Sequence, residues 1–312
     1  MRHLPGFVAA AVAVCTLSLV TASQAGTTKA WTAAKGAMPA DTSVTIGIDV
    51  TAIAKSTTFE KLYPIAVGKN EDVKQGLELV RTACKFDPLV AIKSVAIGLD
   101  ATQSDGAVYV HIVDLTPAKL ASCLKEVAKA KGAGAKADLV TVKTEANITE
   151  MQAEEKHIFF GWIGTDVLVM VPKHLDDKAA LKNWMGGGLA KGALGKMLGK
   201  VKTDAAVFFV STVGKPIDAT HSLKQGYGWL GLASGNLSLE AHADLGDAAA
   251  AKSLATDAST QIDQMRKNPP LPSIADLLKN VTVAPAASEI VVKATVVEKD
   301  FADLVAMAMA AM

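Results

Sequence analysis

Strand-like runs of apolar residues recur along the chain, and in the first of them apolar and polar residues alternate with the two-residue period of a half-buried strand. In the N-terminal half the runs span 44–50, 92–100, 107–114, 138–145, 148–153, 157–164 and 166–172. In the C-terminal half they span 205–213, 229–234, 237–243, 280–284 and 289–297. Turn-forming sequences such as Ser104-Asp105-Gly106 and Gly235-Asn236 join neighbouring runs, so we predict antiparallel hairpins.

Apolar residues spaced three and four apart predict helices between these strands. The stretch 51–84 is expected to hold two helices, because Pro64 and Gly68 interrupt it, with the second starting near Asn70. Asp247 is the expected cap of a long alanine-rich helix. Shorter helices are expected to start at residues 117, 174, 273 and 299. Together these elements predict an α+β fold of antiparallel sheets with helices packed on one face.

The order strand, turn, strand, helix occurs twice in the chain. Residues 92–97 align with 278–283, and residues 113–120 align with 297–304. A chance match between short, generic elements is the alternative. Because order and spacing agree in both copies, we predict an internal duplication.

Glycine and lysine concentrate between residues 186 and 200, which weakens any helix there and predicts a linker. The expected organisation is a signal peptide at 1–25, an N-terminal tether at 26–40, a first α+β domain at 41–185, a Gly/Lys-rich linker at 186–200 and a second α+β domain at 201–312. Extended to Lys202, the linker also fits an amphipathic segment that contacts anionic lipid headgroups. Packing of its apolar side onto a domain is the simpler interpretation.

The first residues have the three-part pattern of a secretory signal peptide. Arg2 provides a basic start, residues 7–20 are apolar apart from Thr16 and Ser18, and small residues precede a cleavage point between Ala25 and Gly26. The apolar run is shorter than the roughly 20 residues that a membrane span requires. We therefore expect export to the periplasm or the extracellular space, with no transmembrane span in the mature chain.

Two cysteines, Cys84 and Cys123, follow the expected cleavage point, and both lie on apolar faces of predicted helices. An oxidising compartment permits a structural disulfide between them. Two buried free thiols are the alternative, because cysteine is among the most buried residue types. A catalytic thiol would need exposure and a basic neighbour, so either interpretation makes the pair structural.

The composition is that of a folded protein, with 50% apolar and 20% charged residues. The 32 basic and 31 acidic residues nearly cancel. The chain therefore lacks the basic excess on which nucleic-acid binding depends.

We find no sequence motif for catalysis or cofactor binding. A Gly-x-Ser-x-Gly elbow, a phosphate-binding Gly-x-x-x-x-Gly-Lys-Ser/Thr loop and a helical His-x-x-x-His pair do not occur. The nearest candidates for metal ligands form two groups: Glu154, Glu155 and His157; and His174, Asp176 and Asp177. Strand turns and helix capping explain both groups without a metal. We therefore predict no catalytic, metal or cofactor-binding residues.

Several short elements resemble a loose group of uncharacterised exported bacterial proteins built of two similar α+β halves. These elements are Pro-Ala-Asp-Thr at 39–42, Cys-Lys-Phe-Asp-Pro-Leu at 84–89, Ser-Val-Ala-Ile-Gly at 94–98 and Gly-Trp-Ile-Gly at 161–164. The resemblance covers about residues 40–310. It implies export and a duplicated α+β fold, and it implies no activity.

These observations favour a non-enzymatic, exported protein of the bacterial cell envelope that acts by binding or scaffolding, with an envelope protein or a hydrophobic ligand as its partner. The alternative is a periplasmic carrier of a lipid or other hydrophobic ligand. A carrier would require an apolar pocket between a curved antiparallel sheet and its helices.

Overall fold

The computed structural model describes residues 27–130, 141–153, 156–217, 220–269 and 272–311. The expected signal peptide, with its cleavage point between Ala25 and Gly26, lies outside these residues. Within the described ranges, no helix has the length and apolarity needed to cross a membrane.

Helices and antiparallel strands both occur throughout the described residues, which confirms the predicted α+β class. The helices are α1 (Lys29–Ala37), α2 (Val50–Ala54), α3 (Thr57–Lys69), α4 (Glu71–Cys84), α5 (Pro88–Ala91), α6 (Pro117–Ala128), α7 (Lys178–Trp184), α8 (Ala193–Met197), α9 (Ala248–Lys267), α10 (Pro272–Leu278) and α11 (Glu298–Ala311). The strands are β1 (Val44–Ile48), β2 (Ile92–Leu99), β3 (Gly106–Ile112), β4 (Thr141–Glu145), β5 (Ile148–Ala153), β6 (Lys156–Ile163), β7 (Val167–Met170), β8 (Val207–Ser211), β9 (Lys215–Pro216), β10 (Ser222–Leu223), β11 (Gln225–Ala233), β12 (Asn236–Asp244), β13 (Val281–Ala286) and β14 (Glu289–Val297).

Side-chain caps place several helix starts where the sequence predicts them. The side chain of Asn70 accepts a hydrogen bond from the main-chain N–H of Val73 at 3.1 Å and begins α4. Asp247 accepts one from the N–H of Ala250 at 2.7 Å and begins α9. Pro64 differs from the expectation, because it lies inside α3 and does not interrupt the helix.

The described residues divide into two compact units that interleave along the chain. The N-terminal unit comprises Thr27–Thr51 and Ala66–Lys196. The C-terminal unit comprises Ala52–Ile65 and the described residues from Met197 onward. A short segment of the N-terminal half thus belongs to the C-terminal unit.

This division differs from the expected first domain at 41–185, because residues 52–65 contribute to the core of the C-terminal unit. Ala52 of α2 and Phe59 of α3 belong to the same apolar cluster as Leu232 of β11. Contacts between residues so far apart in the chain leave no local signal in the sequence. The internal duplication stays a prediction.

The segments expected as a tether and a linker contain buried helical structure. Within the expected tether, 26–40, helix α1 buries Trp31 to 1% exposure. Within the expected linker, 186–200, helical turns bury Leu189 and Leu194 in the N-terminal unit. The apolar side of the lysine-containing segment therefore packs onto protein, which favours the packing interpretation over lipid contact.

The sheet of the N-terminal unit is antiparallel, with the strand order β1-β2-β3-β7-β6-β5-β4. On one face, Val110 and Leu168 form an apolar core with Leu120 of α6. Helices α1 and α7 pack on the other face, where the Tyr109 hydroxyl donates a hydrogen bond to the main-chain oxygen of Trp184. Helices therefore lie on both faces of this sheet, which differs from the expected packing on one face, because both faces carry apolar residues that need cover.

The main sheet of the C-terminal unit has the antiparallel order β13-β14-β12-β11-β8, and β9 and β10 form a separate short pair. Leu254 of α9 packs against Ile290 of β14. Phe301 of α11 packs against the cluster that contains Leu232. Alternation along the strands places these sheet residues on one face, so in this unit the helices pack on a single face, as expected from the sequence.

The expected disulfide between Cys84 and Cys123 is present. It joins the last residue of α4 to the buried side of α6. Helix α4 has no fully buried residue but packs along α6, so the bond reinforces a contact between these two helices.

Candidate functional site

The N-terminal unit has a surface cleft of about 770 Å³, a volume within the range of small-molecule sites. We call it the α1 cleft, because it lies between α1 and the ends of β6 and β7. Its lining includes Lys29, Thr32 and Gly36 from α1, and Ile163, Asp166 and Val167 from the sheet side.

Helix α1 forms one wall of the α1 cleft and is held firmly on the sheet. The Thr28 hydroxyl accepts a hydrogen bond from the N–H of Trp31 at 3.4 Å and caps the helix. The Ser94 hydroxyl on β2 accepts another from the N–H of Ala30 at 3.2 Å. Ala30, Trp31 and Ala34 are buried. Because one face of α1 is fixed by these contacts, its other face is available to the cleft.

A charged group occupies one end of the α1 cleft. Asp166 Oδ2 accepts a hydrogen bond from Lys29 Nζ at 2.6 Å, and His111 Nε2 lies 3.2 Å from the same oxygen. The pairing of β3 with β7 places His111 opposite Val167, next to Asp166. Sheet topology and the packing of α1 on the sheet therefore bring together three side chains that are distant in the sequence.

The protonation states of this group follow from its contacts. The hydrogen bond from Lys29 holds the pKa of Asp166 below its ordinary value, although burial acts in the opposite direction. Burial lowers the pKa of His111, although the charge of Asp166 opposes that effect. At neutral pH the carboxylate is ionised, the imidazole is neutral and the lysine is a cation. The charged end of the α1 cleft thus carries one positive and one negative charge.

Two polar groups at the α1 cleft are left without a protein partner. Among the described residues, none hydrogen-bonds to Oδ1 of Asp166 or to the side-chain amide of Asn147. The main-chain oxygen of Asn147 accepts a hydrogen bond from the N–H of Trp162 at 2.8 Å, which fixes the position of its backbone. A ligand in the α1 cleft can therefore bond to a carboxylate oxygen and to an amide without displacing a protein group.

Glycine leaves open space along the wall of the α1 cleft. A Cβ atom built on Gly36 meets no atom within 4 Å, and Gly36 has ordinary helical backbone. Gly36 lines the α1 cleft, so a Cβ atom at this position would take up open space there. Gly36 is therefore the position at which the cleft is most simply blocked.

The first group of metal-ligand candidates, Glu154, Glu155 and His157, lies partly outside the described residues. His157 Nδ1 lies 2.6 Å from Glu150 Oε1, while Glu154 and Glu155 lie outside the described residues. No group of three metal-ligating side chains occurs in the part of the chain that the structure describes.

The second candidate group is explained by a cap and a surface contact. Asp177 accepts hydrogen bonds from the N–H groups of Ala179 and Ala180 and caps α7. His174 Nε2 lies 3.8 Å from Asp105 Oδ1. The sequence-based explanation by capping is therefore supported for this group.

The C-terminal unit contains a second polar cluster that sequence reasoning missed, on the sheet face opposite its helices. Its members, which we call the His242 network, are Lys200, Tyr227, Glu240, His242, Glu289 and Lys293. His242 stacks on Tyr227 with ring centroids 4.4 Å apart. Its Nδ1 lies 3.0 Å from Glu289 and its Nε2 lies 3.1 Å from Glu240.

The remaining contacts of the His242 network are also internal. Glu289 accepts hydrogen bonds from the Tyr227 hydroxyl at 3.2 Å and from Lys200 at 3.3 Å. Lys293 pairs with Glu240 at 3.1 Å. Because its charged groups bond to one another, we assign the network to stabilisation of the sheet. The Gly235-Asn236 turn fixes the pairing of Tyr227 with His242. This turn is the feature of the sequence from which that contact could have been predicted.

Burial and neighbouring charges shift pKa values in and beside the His242 network. Burial, together with the nearby Glu289 carboxylate, raises the pKa of Tyr227 to about 12. For Glu240 burial acts to raise the pKa, but hydrogen bonds from Lys293 and His242 outweigh it and the pKa is lowered. Burial also acts to raise the pKa of Asp244. This effect is outweighed, mainly by the hydrogen bond from the N–H of Gly246, so the pKa is lowered.

Acid should weaken the C-terminal unit through these two carboxylates. Their pKa values are lowered by folding, so the stability that they contribute is present above the ordinary values of 4.5 for Glu240 and 3.8 for Asp244. That stability is lost as the pH falls below those values towards the folded-state pKa values. We expect the melting temperature to fall over this range, and to fall less steeply in Glu240→Gln. If the melting temperature fell equally steeply with pH in the wild type and in Glu240→Gln, the assignment of acid sensitivity to Glu240 would be contradicted.

The described residues thus form an α+β protein whose N-terminal unit carries the open α1 cleft on its surface. No protein-family model matches the chain, and no curated protein matches it. Three crystal forms of TP0453, a Treponema protein, are similar in structure. Form III has 11% identity and a TM-score of 0.47, and the match covers 88% of this chain and 97% of that chain.

The other two crystal forms of TP0453 give similar values. Form IV has 11% identity and a TM-score of 0.46, and form I has 10% identity and a TM-score of 0.44. Each match covers 88% of this chain and 96% of that chain. Similarity at this level carries no information about a ligand or an activity.

Proposed function

We propose that this protein is a non-enzymatic, exported binding protein of the cell envelope, and that its ligand occupies the α1 cleft. The observation that carries the proposal is the combination of open space at Gly36 with the unpaired polar groups of Asn147 and Asp166. Binding sites typically combine an apolar lining with a few placed polar groups.

The apolar part of the α1 cleft supports the same proposal. Ile163, Val167 and Met185 line it together with the small residues of α1. The wall is rigid, because α1 is anchored through its buried face. A preformed wall lowers the ordering cost of binding, so a small ligand can be held without a large conformational change.

The charged end of the α1 cleft favours this function over the alternative of a lipid carrier. A wholly apolar ligand would leave Lys29 and Asp166 without new partners and would lose part of their hydration. A ligand with polar groups at one end can bond to both residues. We therefore keep the binding function as the proposal.

Native mass spectrometry of the protein purified from periplasm tests the proposal. We expect a mass equal to residues 26–312 plus a small bound molecule. Gly36→Met should lose the bound molecule, because its side chain fills the α1 cleft. Gly76→Met is the matched control, since Gly76 also lies in a helix with no atom within 4 Å of an added Cβ.

Retention of the bound molecule in Gly36→Met, or its loss in both variants, would refute the α1 cleft as the binding site. A wild-type protein that carries no bound molecule would also count against the proposal. A mass that still includes residues 1–25 would contradict the expected export signal.

A further inference from the structure

We propose that the ligand of the α1 cleft is a zwitterionic α-amino acid with a large apolar side chain. This inference rests on the proposed function and adds the chemical class of the ligand. It follows from the two adjacent opposite charges at one end of the cleft and the apolar lining beside them.

The charge balance of the α1 cleft selects against ligands of a single charge. Lys29 Nζ and Asp166 Oδ2 are only 2.6 Å apart. An anion that approaches Lys29 therefore also meets the negative charge of Asp166, and a cation at Asp166 meets Lys29. A ligand with adjacent positive and negative groups interacts favourably with both residues.

The hydrogen-bonding capacity of the pair matches such a ligand. A lysine ammonium has three donors, and within the described residues Asp166 is the hydrogen-bonding partner of Lys29. Lys29 can therefore also donate to a ligand carboxylate. Oδ1 of Asp166, which lacks a protein donor, can accept from a ligand ammonium. Both would be charge-assisted hydrogen bonds, which are the stronger kind.

The small separation of the two protein charges points to a free amino acid. In an α-amino acid the ammonium and the carboxylate are attached to the same carbon atom, whereas in an extended peptide the two termini lie far apart. The side chain of the amino acid would then extend along Ile163, Val167 and Met185. The amide of Asn147 is available for one further hydrogen bond to the ligand.

Isothermal titration calorimetry with the mature protein tests this assignment, with L-phenylalanine as the probe. We expect N-acetyl-L-phenylalanine, which lacks the ammonium, and 2-phenylethylamine, which lacks the carboxylate, each to bind at least about tenfold more weakly. Glycine should also bind more weakly, because it lacks the apolar side chain. O-phosphoethanolamine serves as the probe for a zwitterionic lipid headgroup.

Two protein variants complete the test. Asp166→Asn and Lys29→Met should each weaken L-phenylalanine binding at least about tenfold. Lys35→Met on the exposed side of α1 is the control and should bind as the wild type does. If a site variant does not fold, the comparison of ligands on the wild-type protein still decides the assignment.

The outcomes separate this inference from the proposed function. No binding of L-phenylalanine, equal binding of the truncated ligands, or tighter binding of O-phosphoethanolamine would overturn the amino-acid assignment. If the wild-type protein nevertheless carries a small molecule that Gly36→Met loses, the α1 cleft remains the binding site and only the ligand class is wrong.

Discussion

Replacing Trp31 with alanine is expected to lower the free energy of unfolding by about 3–5 kcal/mol, the usual cost of removing a large aromatic side chain from a core. Trp31 is 1% exposed and lies on the buried face of α1. Because α1 forms a wall of the α1 cleft, the substitution should abolish ligand binding as well. Chemical denaturation followed by circular dichroism measures the change in stability.

Lys35→Ala provides the control on the same helix. Lys35 is exposed, so its replacement should change the free energy of unfolding by no more than about 0.5 kcal/mol. A loss of less than about 1 kcal/mol in Trp31→Ala, well below the usual range for buried aromatic residues, would show that α1 is not packed as described.

Cys84→Ser is expected to lower the free energy of unfolding by about 3–4 kcal/mol. The disulfide joins residues with a sequence separation of 39, and breaking it increases the conformational entropy of the unfolded chain. Helix α4, which has no buried residue, should become the least protected helix of the N-terminal unit. Urea denaturation of the exported protein, followed by hydrogen exchange, measures both effects.

The double variant Cys84→Ser/Cys123→Ser tests whether a single bond is responsible. If the two cysteines are bonded, the double variant should be about as unstable as either single variant, because the bond is lost only once. Additive losses would contradict the bond. Two free thiols in the denatured wild-type protein would contradict it directly.

Local patterns were sufficient for much of the secondary structure. The cap at Asn70 and the hairpin turn at Gly235-Asn236 act within a few residues of the chain, so the sequence alone predicts α4 and the pairing of β11 with β12. The α+β class follows from such elements taken together.

Structure that depends on distant contacts could not be predicted in this way. Helix α1 is only 9 residues long, and an isolated helix of that length is marginal in water. Its stability comes from packing on the sheet, including the hydrogen bond to Ser94, which lies 64 residues away from Ala30. Residues 52–65 likewise join the C-terminal unit through contacts such as that of Phe59 with the cluster containing Leu232.

The candidate site was hidden from sequence reasoning for the same reason. Lys29 and Asp166 are 137 residues apart, and neither belongs to a recognisable motif. Their contact depends on the packing of α1 on the sheet, and the pairing of β3 with β7, two strands that are not neighbours in the sequence, brings His111 beside them. The space at Gly36 becomes apparent only when α1 is placed on the sheet.

The most direct test of the α1 cleft as a ligand site is a crystal structure of the protein purified from periplasm, using material whose bound molecule has been verified by mass spectrometry. We predict electron density for a small molecule beside Gly36, in contact with Lys29 and Asp166. Density for that molecule elsewhere on the protein, with only water in the α1 cleft, would contradict the account.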